Sequence, residues 1–317
     1  MSSIIYNARK WVSKNFESLV DIKSYLIYKF KGPRKDWSIA DRTKYVMAEY
    51  EHSHGYRFDI SSPVLFTEKI AWYKLFYDNE LFPRIVDKVE FKKFIEERLG
   101  PGHTIPMYGA WDSIEDLERD WDSLPEEFFI KSNSSSAGHN MTAIHKKSEV
   151  NFKEFRKELK TWFDPRRTLI NGDSMAYYRL KPRVLAEEYK SNIKDQLFDY
   201  KFFCFNGEPV YIYVAQDHFG SDGSHISFYD LDWNKLPVQY GDHIVGDAPC
   251  PAHFEQMKEY ARKLAPGFPF VRVDFFDTGD ELYLAEMTFY PGGGFTPYKP
   301  ESFNKAMGDL FALPVNE

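Results

Sequence analysis

Acidic and basic side chains alternate with apolar ones in two neighbouring segments near the end of the sequence. Because successive side chains on a strand point to opposite faces, Arg272 and Asp274 lie on one face of the first segment. On the second segment, Glu286 shares a face with Leu284. Two carboxylates on adjoining strands suit Mg²⁺, which binds oxygen ligands and takes further ones from nucleotide phosphates. An ion pair between Arg272 and Glu286 on a solvated sheet face fits the same residues.

The turn between these segments decides whether Asp274 and Glu286 meet. One pairing joins Asp277 to Glu281 across a three-residue loop and sets Glu286 opposite Arg272. Asp274 then lies diagonal to Glu286, about 7–8 Å away between backbones, so both could bind one ion. A two-residue turn would put the two carboxylates on opposite faces. A shared metal site therefore predicts a loop of odd length.

Three other segments could bind a nucleotide or its acceptor. An apolar strand ends in Lys131 and runs into a loop of small polar residues, a combination that can hold phosphates through charge and backbone N–H groups. The loop lacks the Gly-x4-Gly-Lys-Ser/Thr spacing of a Walker A motif, and such loops are also common as plain connections. Its His139 could contact phosphate or face solvent.

The apolar run before Glu187 and Glu188 could offer backbone groups to an adenine edge, or it could end in two exposed acids. Lys201 could reach phosphate or an anionic acceptor, or pair with Asp199 on the same strand face. The triple glycine Gly292–Gly294 could allow close approach of an acceptor, or serve as a flexible connection.

These residues need helices and strands to position them. Helical spacing of apolar residues predicts helices over 4–30, 38–52, 67–77, 151–163, 251–265 and 301–311. Apolar or alternating runs predict strands over 128–131, 141–146, 183–189, 199–205, 210–216, 270–276 and 281–287. Asn206-Gly207 predicts a hairpin turn. Antiparallel strands mixed with helices, without repeating βαβ units, indicate an α+β fold.

Charge and cysteine content limit the class of protein. The net charge of −7 argues against nucleic acid as a partner, because phosphate backbones require a basic face. Residues 1–35 nevertheless hold eight Lys/Arg against two acids, so their basic amphipathic helix could contact an anionic membrane or pack on its own domain. Two cysteines make no disulfide framework, and no stretch approaches 18 apolar residues. We expect a cytoplasmic protein.

In their order along the chain, these segments resemble the ATP-grasp superfamily. The segments that carry this resemblance are Asp87-Lys88, Phe129-Ile130-Lys131 with its loop, Leu185–Tyr189, Arg272-Val273-Asp274 and Glu286. More narrowly, about residues 60–315 resemble its TupA-like branch, of the teichuronopeptide-biosynthesis type, found in bacterial cell-surface polysaccharide systems. That likeness lies in Phe66–Trp72, Asp87-Lys88, Leu124-Pro125, Asp199–Gly207 and Glu286–Gly294.

The resemblance implies an ATP-grasp fold, in which two α+β subdomains clasp ATP behind a helical N-terminal region. The expected division is 1–60 for the basic helical region, 61–185 for the N-terminal part with subdomain 1, and 186–317 for subdomain 2 with the metal site. The implied nucleotide-binding residues are Lys88, Lys131, Ser135, Gly138, His139, Glu187, Glu188 and Tyr189. The implied Mg²⁺ ligands are Asp274, Glu286 and Thr288, and the catalytic residues are Arg272 and Lys201. Thr288 stands where many superfamily members carry Asn.

The activity implied is carboxylate–amine ligation. ATP phosphorylates a carboxylate, an amine attacks the acyl phosphate, and ADP is released. For the TupA-like branch the partners would be a uronic-acid carboxylate of a bacterial surface glycan and an amino acid or amine, with residues 1–35 in peripheral contact with the inner membrane face. Two alternatives stay open: a kinase of the same fold that phosphorylates a sugar hydroxyl, and a non-catalytic nucleotide-binding partner of a glycan-assembly complex.

Overall fold

The computed structural model describes residues 36–135, 140–164, 175–177, 179–190, 198–216 and 225–314. The basic segment 1–35 and the loop residues Gly138 and His139 lie outside the described residues. The helices are α1 (Ile39–His54), α2 (Phe66–Phe76), α3 (Phe82–Val86), α4 (Lys88–Leu99), α5 (Ile114–Asp120), α6 (Phe152–Trp162), α7 (Phe254–Leu264) and α8 (Glu301–Leu310).

Two main sheets organise the fold. Their strands are β1 (Met107–Trp111), β2 (Phe128–Ser132), β3 (Met141–Ile144), β4 (Val184–Glu187), β5 (Phe198–Phe205), β6 (Glu208–Gln216), β7 (His225–Tyr229), β8 (Lys235–Leu236), β10 (Ile244–Val245), β11 (Phe270–Asp277) and β12 (Leu282–Thr288). A small additional pair is formed by β9 (Gln239–Tyr240) and β13 (Tyr298–Lys299). Helices and largely antiparallel sheets confirm the α+β prediction.

The smaller sheet has the strand order β1-β4-β2-β3, and its two faces differ in chemistry. One face is apolar, with Phe128 and Ile130 packed against Leu117 of α5 and Leu159 of α6. Since side chains alternate, the other face carries Phe129 and Lys131 of β2 and the paired Leu185 and Glu187 of β4. Lys131 and Glu187 therefore lie on the face of this sheet opposite its apolar core.

The larger sheet has the order β10-β7-β6-β5-β11-β12, with β8 paired to β7. Helix α7 covers one face, where the Phe254 ring lies 6.0 Å from that of Phe202. One end of the opposite face is covered by α2, whose Phe66 ring contacts Phe203 and Phe270. The rest of that face, around Asp274, lies toward the smaller sheet and holds the charged residues discussed below.

Helix α1 docks on the larger unit through a buried polar chain. The Tyr50 hydroxyl lies 3.0 Å from Thr67 Oγ1, and Asn304 Nδ2 donates to the same oxygen at 3.0 Å. Thr67 N–H in turn donates to Asn304 Oδ1, so α1, α2 and α8 are joined at one point. Among the described residues, no helix has the length and apolar content needed to cross a membrane.

The predicted helices and strands within the described residues are present, with small shifts at their ends. Asn151 caps α6 as expected, because its side chain accepts from the Glu154 N–H. The expectation of no strand before Phe128 is wrong: β1 forms at Met107–Trp111, and α3, α4 and α5 also lie in the stretch between α2 and β2. These elements are short or heavily charged, so their apolar periodicity is weak. Strands β7 to β10 and β13 were likewise not predicted.

Candidate active site

The β11–β12 hairpin brings two acids together by a different route from the one predicted. Asp277 pairs with Leu282, so the loop has four residues, and the predicted odd-length loop is wrong. The register then shifts by one residue at Ala285, where β12 forms a bulge. A bulge inserts one residue and reverses which side chains face each way. Asp274 therefore lies directly opposite Glu286 rather than diagonal to it.

Asp274 is the centre of a buried charge cluster. Its side chain is fully buried, and its two oxygens accept from Arg272 Nε at 2.7 Å and Nη2 at 2.5 Å. Lys201, opposite it on β5, donates to Asp274 Oδ2 at 2.9 Å and also pairs with Asp199. Arg272 Nη2 reaches Glu286 Oε1 at 3.2 Å, so the same guanidinium joins both strands.

The electrostatics keep the basic groups Lys201 and Arg272 charged. Burial opposes the ammonium form of Lys201, but Asp199 and Asp274 together outweigh it and raise the Lys201 pKa. Burial likewise opposes the charge on Arg272, and Asp274 reverses the effect, so the Arg272 pKa is raised. Burial raises the pKa of Asp274 against the pull of both cations. The cluster holds opposite charges in contact, as buried ions require.

Thr288 lies beside Glu286 and Arg272 in the cluster. It lies opposite Arg272, and its hydroxyl donates to Glu286 Oε1 at 3.1 Å while lying 3.2 Å from Arg272 Nη2. The Glu286 side chain is 39% exposed, unlike Asp274, so it faces the open side of the cluster. The predicted metal residues Asp274, Glu286 and Thr288 thus lie together.

Lys88 approaches this cluster from helix α4. It is the first residue of α4, and its Nζ lies 3.5 Å from Glu286 Oε2. Asp87 sets the start of the helix, because its Oδ1 accepts from the N–H groups of Val89 and Glu90. The other oxygen of Asp87 accepts from Asn133 Nδ2 at 2.6 Å. The Asp87-Lys88 motif therefore ties α4 to the loop that follows β2.

Lys131 of β2 contacts Glu187 of β4 on the smaller sheet. The Lys131 ammonium forms a close ion pair with Glu187 Oε1, and Lys92 Nζ of α4 lies 3.0 Å from Oε2 of the same carboxylate. Burial opposes the charge on Glu187, but Lys131 and Lys92 outweigh it and lower the Glu187 pKa. One carboxylate is thus held ionised between two lysines.

The Lys131–Glu187–Lys92 group and Lys88 line a narrow cleft between the sheets, and the Asp274 cluster adjoins it through the contact of Lys88 with Glu286. The smaller sheet contributes Lys131 and Glu187 to it, α4 contributes Lys88 and Lys92, and β11 and β12 contribute Phe276, Leu284 and Ala285. Its free volume is only about 20 Å³, and the Lys131–Glu187–Lys92 contacts lie within its lining. A phosphate chain entering this cleft would meet lysines from α4 and from β2.

Ser135, Glu188 and Tyr189 are the predicted site residues that remain to be placed. Ser135 is buried just after β2, and its hydroxyl has no hydrogen-bond partner among the described residues. The Glu188 N–H donates to the Pro106 carbonyl at 2.9 Å, while its carboxylate pairs with Lys190 at 3.0 Å. The Tyr189 ring packs edge-on against His145 at 4.9 Å. Glu188 and Tyr189 follow β4 directly but make no described contact with the lysines of the cleft.

Lys92 and Asn133 are two residues that the sequence analysis missed. Lys92 follows Lys88 by four positions, and residues at this spacing share one face of a helix. That spacing could have identified Lys92 had α4 been predicted. Asn133 is fully buried, and no local pattern indicated its contact with Asp87, 46 positions earlier.

The triple glycine has a packing explanation. Gly292, Gly293 and Gly294 all have positive φ angles, of 57°, 64° and 78°. A Cβ atom on Gly292 would lie 2.3 Å from the Tyr240 hydroxyl, and one on Gly294 would lie 2.9 Å from the Thr67 carbonyl. The close approach that these glycines allow is therefore to α2 and Tyr240.

Two sheets with lysines in the cleft between them, and paired acids on adjacent strands of the larger sheet, agree with an ATP-grasp fold. The sequence matches the family of TupA-like ATP-grasp proteins over residues 68–312, so the chain belongs to that family. Helix α1 precedes the matched region yet packs onto it through Tyr50. A comparison with curated proteins finds no match to this sequence.

Solved structures similar to the chain include two D-alanine–D-alanine ligases. That from Bacillus anthracis, complexed with ATP, is 16% identical, with 65% of this chain and 55% of that chain covered and a TM-score of 0.40. That from Helicobacter pylori is 16% identical, with 77% and 62% covered and a TM-score of 0.40. A biotin carboxylase from Campylobacter jejuni is 15% identical, with 73% and 47% covered and a TM-score of 0.39. The chain thus spans little more than half the length of the ligases, and the assignment rests on the family match.

Proposed function

We propose that the chain is an ATP- and Mg²⁺-dependent carboxylate–amine ligase that acts through an acyl phosphate. The observation that carries this proposal is the position of Lys88, which lines one cleft with Lys131 and Glu187 and also contacts Glu286 of the Asp274–Glu286 pair. Phosphates in this cleft would meet lysines from α4 and β2, with metal-binding carboxylates next to Lys88. That arrangement suits transfer of a phosphoryl group, which depends on positioning and charge neutralisation.

The donor set fits magnesium. Asp274 and Glu286 are hard oxygen ligands on directly opposed strand positions, and Thr288 adds a hydroxyl beside them. Among the described residues no group of three or more His, Cys, Asp or Glu side chains forms a metal site, but Mg²⁺ with a nucleotide is commonly bound by only one or two carboxylates. The bound ion would neutralise charge on the β- and γ-phosphates.

The chain's own residues account for the rest of the chemistry. Lys88 and Lys131 would bind phosphate oxygens, and Arg272 would release part of its hold on Asp274 to steady the transferred group. Lys201 would balance the acids of the cluster or contact an anionic acceptor. The acceptor carboxylate attacks the γ-phosphorus and ADP leaves; the amine then attacks the acyl carbon and phosphate leaves. Neither step needs a side-chain nucleophile.

The substrate assignment rests on family membership. We infer that the acceptor is a uronic-acid carboxylate of a bacterial cell-surface polysaccharide and that the second substrate is an amino acid or amine. Such an enzyme would work in the cytoplasm, with residues 1–35 contributing peripheral contact with the inner membrane face. The adenine of ATP would lie near Glu187, Glu188 and Tyr189, and Ser135, Gly138 and His139 would bind the phosphates.

Acceptor-dependent trapping tests the reaction class. ADP release is measured with Mg²⁺–ATP and a panel of uronic acids, with and without hydroxylamine. Hydroxamate that forms only when both ATP and acceptor are present would support an acyl phosphate. A stable phosphorylated sugar without hydroxamate would favour the kinase alternative, and failure to bind ATP would exclude both enzymatic activities.

A further inference from the structure

Lys92 makes two contacts that separate it from the other lysines of the cleft. Its Nζ donates to the Ile105 carbonyl at 2.6 Å and lies 3.0 Å from Glu187 Oε2. Ile105 belongs to the linker between α4 and β1, so one ammonium joins a helix, a linker and strand β4. A lysine anchored at both a backbone carbonyl and a carboxylate has little freedom to turn toward a ligand.

The burial of the Glu187 carboxylate explains why it needs a second lysine beside Lys131. Its side chain is only 4% exposed, and an uncompensated buried carboxylate is strongly unfavourable. Lys131 now compensates one of its oxygens. In the proposed function Lys131 binds phosphate, which weakens its pairing with Glu187. The carboxylate then depends on another cation, and Lys92 is already in contact with its second oxygen.

We propose that Lys92 is a positioning residue of the nucleotide site, which neutralises Glu187 so that Lys131 is free to bind phosphate. The inference rests on the proposed function and deepens it. Two cleft lysines, Lys92 and Lys131, contact Glu187. Without Lys92, Glu187 would keep Lys131 as its ion-pair partner. Lys92 therefore acts on ATP through Glu187 and Lys131, and does not itself bind phosphate.

A double-mutant cycle tests this role through nucleotide affinity. The dissociation constant of Mg²⁺–ATP is measured by calorimetry for the unmodified chain, Lys92→Met, Glu187→Gln and the combined variant. We expect Lys92→Met to weaken binding by roughly 10- to 100-fold, because a buried charge loses its partner. In the Glu187→Gln background the same substitution should have little effect, since no carboxylate is left to retain Lys131.

Further variants separate this role from a structural one. Lys92→Arg should preserve affinity to within a few-fold, and Lys93→Met on the same helix, where the side chain is 56% exposed, should leave it unchanged. If Lys92→Met does not fold, Glu187→Gln and the combined variant still test the inference, because neither leaves Glu187 charged and a lower affinity in the combined variant would overturn it.

The possible results of these affinity measurements lead to different conclusions. An equal loss of affinity with and without Glu187 would mean that Lys92 binds phosphate directly, which overturns the inference. Unchanged affinity in Lys92→Met would also overturn it, while leaving the proposed function intact. Failure of the unmodified chain to bind ATP would overturn both.

Discussion

At the scale of single residues, the charged side chains of the candidate site form ion pairs with one another. Both oxygens of Asp274 accept from cations, and Arg272 extends from Asp274 to Glu286. Burial makes each of these charges dependent on its partners. A ligand that binds Asp274 or Glu187 must therefore replace existing ion pairs, since both oxygens of each carboxylate already contact cations.

Replacement of Asp274 by Asn should abolish the activity of the chain. The amide removes the charge that would bind Mg²⁺ and that holds Arg272 and Lys201. We expect acceptor-dependent ADP release to fall by at least about 100-fold, in the range observed when a preorganised electrostatic group is removed from an active site. Asp280→Asn, an exposed change in the same hairpin loop, serves as the control. Comparable activity in the two variants would contradict the metal assignment.

Asn133 is expected to stabilise the fold around Lys88 and Lys131. Its Nδ2 donates to Asp87 Oδ2 and to the Lys181 carbonyl, and its Oδ1 accepts from the Arg183 N–H. Asn133→Ala leaves these buried groups unpaired, so the free energy of unfolding in urea should fall by roughly 2–4 kcal/mol. Ser134→Ala should change it much less, because within the described part of the chain its side chain is seen only in a 3.3 Å contact with Ser132. Equal effects would show that the Asn133 contacts contribute little.

At the scale of elements, the packing of two helices explains the glycine at position 308. Gly308 lies within α8, where alanine would ordinarily stabilise a helix by about 1 kcal/mol. Here an ideal Cβ would lie 2.3 Å from the Val64 carbonyl oxygen and 2.9 Å from the Phe66 nitrogen, both backbone atoms at the start of α2. The two helices approach too closely for any side chain.

Gly308→Ala should therefore destabilise the chain, opposite in sign to helix propensity. Forcing α8 away from α2 also strains the polar link between Thr67 and Asn304. We expect a loss of about 2 kcal/mol or more in the free energy of unfolding, typical of overpacking. Ser302→Ala, at an exposed position of α8, should be neutral or slightly stabilising. A stabilising Gly308→Ala would refute this account of the helix contact.

At the scale of the whole molecule, the two sheets are joined by ion pairs that depend on pH. Glu187 on the smaller sheet pairs with Lys92 on α4, a helix that packs against the larger sheet. The pKa of Glu187 is lowered in the folded chain, so its contribution to stability is fully present above the unfolded pKa of about 4.3. That contribution is lost as the pH falls through the folded pKa.

Glu187→Gln should therefore cost stability at neutral pH and much less in acid. The difference in free energy of unfolding between this variant and the unmodified chain is measured in urea at pH 7 and pH 3.5. We expect the difference to shrink at the lower pH. Glu96→Gln, an exposed change on α4, should show no such pH dependence. A difference that stays constant would mean that the charge of Glu187 does not stabilise the fold.

The sequence alone determined seven of the strands and several of the charged residues at the candidate site. Alternation of side chains identified Arg272, Asp274 and Glu286, and an apolar run ending in a basic residue identified Lys131. Such patterns are local, because the two faces of a strand are set by its own residues. The prediction that Asp274 and Glu286 share a face is therefore correct in outcome, although the turn behind it has a different length.

Only the tertiary structure decided how these residues meet. The bulge at Ala285 lies where the Leu284 N–H donates to the His103 carbonyl, a contact from a linker about 180 positions away. The pairing of Lys92 with Glu187 likewise joins residues far apart in sequence. Periodicity reports which way a side chain points within its own element, whereas a buried charge takes its partner from whichever element packs against it.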